Sequence, residues 1–355
     1  MDRKLSGVAE SPTPKEEGGS AGSSVALRTK LYFGAGAGGE AASMWTFNAL
    51  LLIFYQQILG LPAGMASIAL GIAILSDAIT DPLIGAISDR FRSRFGRRHP
   101  FLFLAPAPLA LCVFLIFHPP VFVVDSQTLL FAWLCTFTVL QRTFQTFYVV
   151  PHLAMGAELS TDYIERTRIM SFNNLFTLYG GMLMHVMVWF VIFGFFFADQ
   201  GGQLHRPAYT WIILLACTII LVSIFACAWG TRDQIPRLLD NQIEDGKRFS
   251  FTSFYSDIWS VLQNRNYLYL LVGLFFLSLT IGTHETLAIF MGTFFWELSP
   301  YQIGWLIIGS IIGTHAGFFL AARLHHRFDK RLTISVSAIG LSVFWSMVVN
   351  LTLLG

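Results

Sequence analysis

The sequence predicts an all-α, polytopic membrane protein, and three observations predict it. Of 355 residues, 54% are hydrophobic and only 12% are charged, whereas soluble domains carry about 25% charged residues. Apolar runs recur along the chain at the length of about 20 residues that a membrane-spanning helix needs. Lys and Arg are concentrated in alternate connections between these runs, as in proteins that cross a bilayer repeatedly.

Nine apolar segments are predicted to span the membrane, because surface-facing charges do not interrupt them every turn or two. In chain order they are residues 36–59, 64–88, 101–118, 128–152, 171–197, 208–229, 267–295, 302–322 and 332–354. Lys and Arg cluster before the first segment and after the second, fourth, sixth and eighth, while the intervening connections contain only Arg206. Positively charged connections favour the cytoplasmic side, so the N-terminus is predicted to be cytoplasmic. We expect a multi-pass protein of the inner or plasma membrane.

The distribution of polar stretches predicts four regions. Residues 1–30 are predicted to form a disordered cytoplasmic tail, 31–229 a six-helix lobe, 230–266 a cytoplasmic connection and 267–355 a second lobe. Two helical lobes joined by a cytoplasmic bridge are the plan of the major facilitator fold, which has repeats of three helices. Nine of an expected twelve helices are present, so the second lobe is predicted to be incomplete.

Asp77 and Asp81 lie one helical turn apart within the apolar stretch 63–87. Residues four apart share one face of a helix, and carboxylates at membrane depth are costly to keep. Such acids usually mark the path of a cation or a proton. The pair therefore predicts cation coupling.

Residues 76–100, Ser-Asp-Ala-Ile-Thr-Asp-Pro-Leu-Ile-Gly-Ala-Ile-Ser-Asp-Arg-Phe-Arg-Ser-Arg-Phe-Gly-Arg-Arg-His-Pro, closely resemble a family signature. It is that of the glycoside–pentoside–hexuronide:cation symporters, of melibiose-carrier type, in the major facilitator superfamily. Residues 29–36 and 150–168 extend the resemblance. It implies a secondary active transporter that moves a sugar, glycoside or related polar solute together with H⁺ or Na⁺ by alternating access.

The resemblance assigns cation coupling to Asp77 and Asp81, with Thr80 beside them and Thr146 on the fourth segment. A hard cation prefers oxygen ligands, which fits this set. Two positions depart from the family pattern: Val149 replaces a third acid, and Glu40-Ala41 replaces a Lys-Asp pair that contacts sugar. H⁺ coupling or a rebuilt site therefore competes with a strong Na⁺ site, and structural pairing of the two acids with Arg142 is the alternative to coupling.

Further polar residues at membrane depth are candidates for the cavity or the substrate. They are Glu40, Arg142, Gln145, Asn173, Asn174, His284 and Glu285. Glu40 either faces the cavity as a third carboxylate or lies solvated at the interface. Arg142 either neutralises the acids of the second segment or binds an anionic or hydroxyl-rich substrate. His284 and Glu285 fit proton relay or substrate binding, and equally an interhelical hydrogen bond.

The connection after the second segment is predicted to gate transport, because its charges can change partners as the lobes rock. Its residues are Gly85, Asp89, Arg90, Arg94, Gly96, Arg97 and Arg98. The positive-inside rule explains their net charge but requires neither an acid at the start nor a glycine between the arginines.

No Walker motif or metalloprotease spacing occurs in the sequence, so we expect no enzyme. The expected partners are the lipid bilayer and a small solute, with no nucleic acid. We expect a monomer with no cofactor, and no metal site beyond a Na⁺ at Asp77 and Asp81. Two alternatives stay open: a transporter of lysolipids or other amphiphiles, and a membrane sensor that does not transport.

Overall fold

The computed structural model describes residues 25–236 and 263–306, and further on residues 308, 309, 312, 313, 316, 335–337, 339, 340 and 343. Every regular element among these residues is helical, which confirms the all-α prediction for the described chain.

In chain order, the α-helices of the described residues are α1 (Leu27–Ile53), α2 (Ala63–Arg90), α3 (His99–Leu104), α4 (Pro106–Phe117), α5 (Val121–Val124), α6 (Gln127–Glu158), α7 (Tyr163–Val186), α8 (Arg206–Gly230) and α9 (Arg265–Phe290). Three π-helical stretches, Phe54–Ile58, Met187–Phe196 and Met291–Phe295, prolong α1, α7 and α9. Short 3₁₀ turns occupy Ala198–Gln200, Gly202–Leu204 and Arg232–Gln234.

The first seven predicted segments all correspond to helices, with longer bounds than hydropathy gives. α1 begins at Leu27 rather than at residue 36, and Lys30 in its first turn is buried, where it pairs with Glu165 of α7 at 2.6 Å. Residues 300–306 are helical where the eighth segment begins. The rest of segments 302–322 and 332–354 lies largely outside the described residues, as does most of the predicted connection 230–266.

Local signals explain where several helices begin. The Ser126 hydroxyl accepts a hydrogen bond from the Leu129 amide and so caps α6. Pro106 starts α4 at the first helical position, where its missing N–H costs no hydrogen bond. Pro82 and Pro151 lie inside α2 and α6, as tolerated in membrane helices whose neighbours supply alternative partners.

Five helical stretches among the described residues are long and apolar enough to cross a membrane. They are Ala63–Arg90, His99–Phe117, Tyr163–Phe196, Arg206–Gln234 and Arg265–Phe295. α1 and α6, with 27 and 32 residues, are comparably long. Large apolar side chains point outward, including Leu75 at 70% and Ile79 at 72% exposure. Such contiguous exposed apolar surface is typical of a protein embedded in lipid, which supports the predicted polytopic membrane fold.

α2 and α6 run side by side in the same direction. Asp77 contacts Arg142, Asp81 contacts Thr146, and Gly85 approaches Val150, so the partner lies 65 residues further along at each of three successive turns. A constant offset means that the two helices are parallel and in fixed register. α3 and α4 supply the intervening return that parallel spanning helices require.

The described residues group into two compact units. The first contains the described residues up to Met184 together with Tyr209–Ser278; its core includes Phe54, whose ring lies 5.1 Å from Phe117 and 4.9 Å from Tyr209. The second contains His185–Ala208 and the described residues from Leu279 onward, where Phe190 packs edge-on against Tyr301. The predicted lobes 31–229 and 267–355 stay a prediction.

Two adjacent glycines of α7 should respond oppositely to substitution by alanine. A Cβ at Gly180 would lie 2.8 Å from the backbone of Gly38 on α1, whereas one at Gly181 would meet nothing within 4 Å. We expect Gly180→Ala to destabilise the protein by about 1–3 kcal/mol through overpacking. Gly181→Ala should stabilise α7 by up to about 1 kcal/mol through helix propensity. Thermal unfolding of both variants in detergent checks this; equal melting temperatures would contradict the close approach of α1 and α7.

Candidate functional site

An ion pair at membrane depth joins α2 to α6. The Arg142 guanidinium donates from Nε to Oδ2 of Asp77 at 2.6 Å, and its Nη2 contacts the same oxygen. Both side chains are about four-fifths buried. The Arg142 guanidinium also lies 5.8 Å from the ring of Phe47 on α1. Arg142 is therefore held by a carboxylate and an aromatic face, and the carboxylate compensates its positive charge.

One turn further along, Asp81 has a different partner. The Thr146 hydroxyl donates to Asp81 Oδ1 at 2.7 Å. A neutral hydroxyl stabilises the carboxylate by a hydrogen bond but leaves its charge uncompensated. The two aspartates thus share one face of α2, but only Asp77 has a positively charged partner among the described residues.

A cavity of about 180 Å³ lies beside both acids. It is lined by Glu40, Met44, Asp77, Asp81, Arg142, Gln145, Thr146, Val149 and Val150. Sequence reasoning predicted six of these residues as site candidates, and the structure brings those six together. Glu40 lies on this cavity wall, which is one of its two predicted placements.

Several oxygens near the aspartates have no hydrogen-bond partner among the described residues. They are Asp77 Oδ1, Thr80 Oγ1 and Gln145 Oε1. Buried polar atoms without partners are rare and call for an explanation such as an ion or water. Carboxylate, hydroxyl and amide oxygens are the ligands that hard cations prefer. This group of atoms could therefore contribute to binding a cation, although Thr80 does not line the cavity itself.

Val149 lies on the cavity wall next to Gln145 and Thr146. This is the position where the melibiose-type pattern has its third acid. Its replacement by valine removes one potential ligand from the α6 side. The cavity of this chain therefore contains three acids, Glu40 on α1 and Asp77 and Asp81 on α2.

Two of the remaining substrate candidates, Asn173 and Asn174, are not among the residues that line this cavity. Asn173 is buried on α7 with its Oδ1 unpartnered among the described residues, and Asn174 is exposed. His284 lies on α9 with an exposed side chain. The side chain of Glu285 lies outside the described residues. Roles for these four residues stay predictions.

The predicted gating loop is anchored by arginines 97 and 98. The Arg98 side chain, 5% exposed, pairs with Asp89 at 2.6 Å and with Glu158 at the end of α6 at 2.8 Å. Its Nη1 also donates to the Ser88 hydroxyl at 2.8 Å. Arg97 binds the same Glu158 carboxylate. One acid thus holds two adjacent arginines and fixes the loop after α2 against α6.

The rest of the loop includes one constrained glycine. Gly96 has φ +80°, a conformation that glycine adopts without strain, and a Cβ there would lie 3.3 Å from Ile235. Arg94 stacks over its neighbour Phe95 at 4.9 Å. Arg90, at the end of α2, is exposed. Sequence reasoning missed Glu158, although it lies in the stretch 150–168 and an arginine-rich loop requires acid partners.

A second buried ion pair was also missed. Glu165 on α7 accepts from the Lys30 ammonium at 2.6 Å and from the Val25 amide at 2.9 Å. Both side chains are at most 10% exposed. Lys30 belongs to the basic group before the first segment, which hydropathy alone assigns to solvent.

The family model described as MFS/sugar transport protein matches residues 32–352. The chain belongs to this family. The match covers both described units and agrees with the all-helical membrane architecture.

Individual relatives are symporters. The uncharacterized symporter sll1374 of Synechocystis sp. is 35% identical over 205 residues, which cover 57% of this chain and 36% of the relative. The inner membrane symporter YicJ of Escherichia coli is 29% identical over 46% of this chain and 35% of its own length. The sodium-dependent lysophosphatidylcholine symporter 1-B of Danio rerio is 30% identical over 41% of this chain and 27% of its length. The chain thus matches only about a third of the length of these relatives.

Removal of the shared acid tests the loop anchor. We expect Glu158→Gln to destabilise the protein by about 2–3 kcal/mol, because it leaves Arg98 buried with only part of its compensation. Asp233→Asn is the matched control, since its pair with Arg232 spans 3.9 Å with both side chains at least half exposed. Its loss should cost less than about 1 kcal/mol. Comparable losses of thermal stability in the two variants would contradict the anchor.

Proposed function

We propose that the protein is a secondary active transporter that couples the movement of a polar solute to H⁺ or Na⁺. A single observation carries this proposal: one cavity collects three carboxylates, Glu40, Asp77 and Asp81, against one guanidinium, Arg142. At membrane depth such an excess of negative charge is unfavourable unless a cation or protons compensate it. A bound cation would change the charge of the cavity and so bias the protein between conformations.

Membership of a family of transporters and similarity to several symporters support coupling rather than passive transport. We place the coupling cation at Asp77 and Asp81, with Thr80 and Thr146 as further oxygen ligands or hydrogen-bond donors. In this scheme Arg142 balances the charge of Asp77, and Asp81 carries the charge that the cation neutralises.

The solute is proposed to be a sugar, glycoside or related polar molecule. Five of the nine residues that line the cavity have charged or amide side chains: Glu40, Asp77, Asp81, Arg142 and Gln145. These groups can form hydrogen bonds with a hydroxyl-rich solute. The alternative, a sensor that does not transport, differs in one measurable property: a sensor would bind the solute but would not move it across the membrane.

Gradient-driven uptake into proteoliposomes tests the proposal. Neutralising either acid, by Asp77→Asn or Asp81→Asn, should abolish solute accumulation driven by an inward Na⁺ or H⁺ gradient. Asp125→Asn, at an exposed acid after α5, is the control and should retain uptake. Wild-type accumulation in the double variant Asp77→Asn/Asp81→Asn would exclude this coupling site.

Two threonines of α6 provide a finer test. Thr146→Val removes the hydroxyl that donates to Asp81, and we expect at least a tenfold rise in the cation concentration for half-maximal uptake. Thr143→Val is the matched control, since that hydroxyl donates only to the backbone carbonyl of Val139. The measurement is initial uptake rate against Na⁺ and against pH. Equal cation dependence in both variants would remove Thr146 from the site.

A further inference from the structure

The cavity has an acid whose charge nothing described in the protein offsets. Arg142 forms an ion pair with Asp77, and the Thr146 hydroxyl donates a hydrogen bond to Asp81. Glu40, on α1, lines the same cavity but takes part in no ion pair or hydrogen bond among the described residues. After one coupling cation has bound at the aspartates, Glu40 would still be an acid without a partner among the described residues.

A second, independent feature points to a ligand. Gln145 lines the cavity and is only 7% exposed, yet neither its amide nitrogen nor its amide oxygen has a hydrogen-bond partner among the described residues. A buried amide that neither donates nor accepts a hydrogen bond is unfavourable, so such groups usually bind a ligand or water. One donor and one acceptor side by side suit a hydroxyl group, which can accept from one and donate to the other.

The charge balance of the described cavity wall also disfavours one class of solute. An anionic solute would need a free cation on the cavity wall, and the guanidinium of Arg142 already neutralises Asp77. A carboxylate or phosphate placed there would instead face Asp81 and Glu40. Sugar acids and sugar phosphates are therefore disfavoured, which leaves neutral and cationic solutes.

We propose that the cavity recognises a hydroxylated amine, such as an amino sugar, with the ammonium group at Glu40 and a hydroxyl group at Gln145. This inference rests on the proposed transport function and adds the charge class of the solute. The two contacts come from α1 and α6, whereas the coupling cation is assigned to the acids of α2. Cation and solute can therefore occupy the cavity together. A cavity of about 180 Å³ suits one polar ring better than an oligosaccharide.

Binding of a matched series of hexoses to the full chain in detergent tests the proposal. The probes are D-glucosamine, D-glucose, N-acetyl-D-glucosamine and D-glucuronate, titrated by calorimetry at pH 6 in NaCl, where the free amine is protonated. We expect D-glucosamine to bind at least tenfold more tightly than D-glucose or the neutral N-acetyl derivative, and D-glucuronate not to bind. Glu40→Gln should remove the preference for D-glucosamine over D-glucose. Gln145→Leu should weaken D-glucosamine and D-glucose alike.

The selectivity of the wild-type protein among these sugars is enough to test the preference for a hydroxylated amine. The test therefore does not depend on whether a variant folds. Equal affinity for D-glucosamine and D-glucose, or a preference for D-glucuronate, would overturn the proposal. An unchanged preference in Glu40→Gln would overturn the assignment to Glu40. These outcomes differ from failure of the transport proposal, which is loss of cation-driven uptake for every solute.

Discussion

Carboxylates in the middle of a membrane-spanning helix constrain everything around them. α2 is otherwise apolar, and Asp77 and Asp81 can stay on it only because α6 presents a guanidinium and a hydroxyl at matching heights. Interhelical polar contacts of this kind fix the register of two helices, since sliding by one turn would separate Asp77 from Arg142 and Asp81 from Thr146. The parallel packing of α2 and α6 and the position of the cavity follow from this pairing.

The same logic recurs where helices end. Glu158 holds two arginines of the loop after α2, and Glu165 holds Lys30 at the start of α1. Each of these acids is less exposed to solvent than an acid in an ordinary surface ion pair. Removal of either acid would therefore leave the basic partner buried without full compensation of its charge. The glycine contact between α1 and α7 complements them, because close backbone approach needs no polar group. Glycine contacts and buried ion pairs thus connect helices whose outer faces are apolar.

Much of this arrangement could be predicted from the sequence. Apolar run lengths locate the helices, and the four-residue spacing of Asp77 and Asp81 places both acids on one face. Partners could not be predicted, because Arg142 and Thr146 lie 65 residues away and only the packing of α2 on α6 selects them. Lys30 and Glu158 were missed for a similar reason. A hydropathy profile scores each residue separately, so it does not show that two opposite charges can be buried as an ion pair. The placement of Glu40 also depended on the fold, since residue type alone fits both a cavity wall and an interface.

The central claim is that the acids of this cavity bind a cation and move its charge through the protein. Solid-supported-membrane electrophysiology of reconstituted protein, with rapid jumps of Na⁺ or of pH and no solute, measures this directly. We expect a transient displacement of charge in at least one of the two series, of an amplitude that saturates with cation concentration. Absence of any transient in both series, from protein that is shown to be folded and inserted, would contradict the claim.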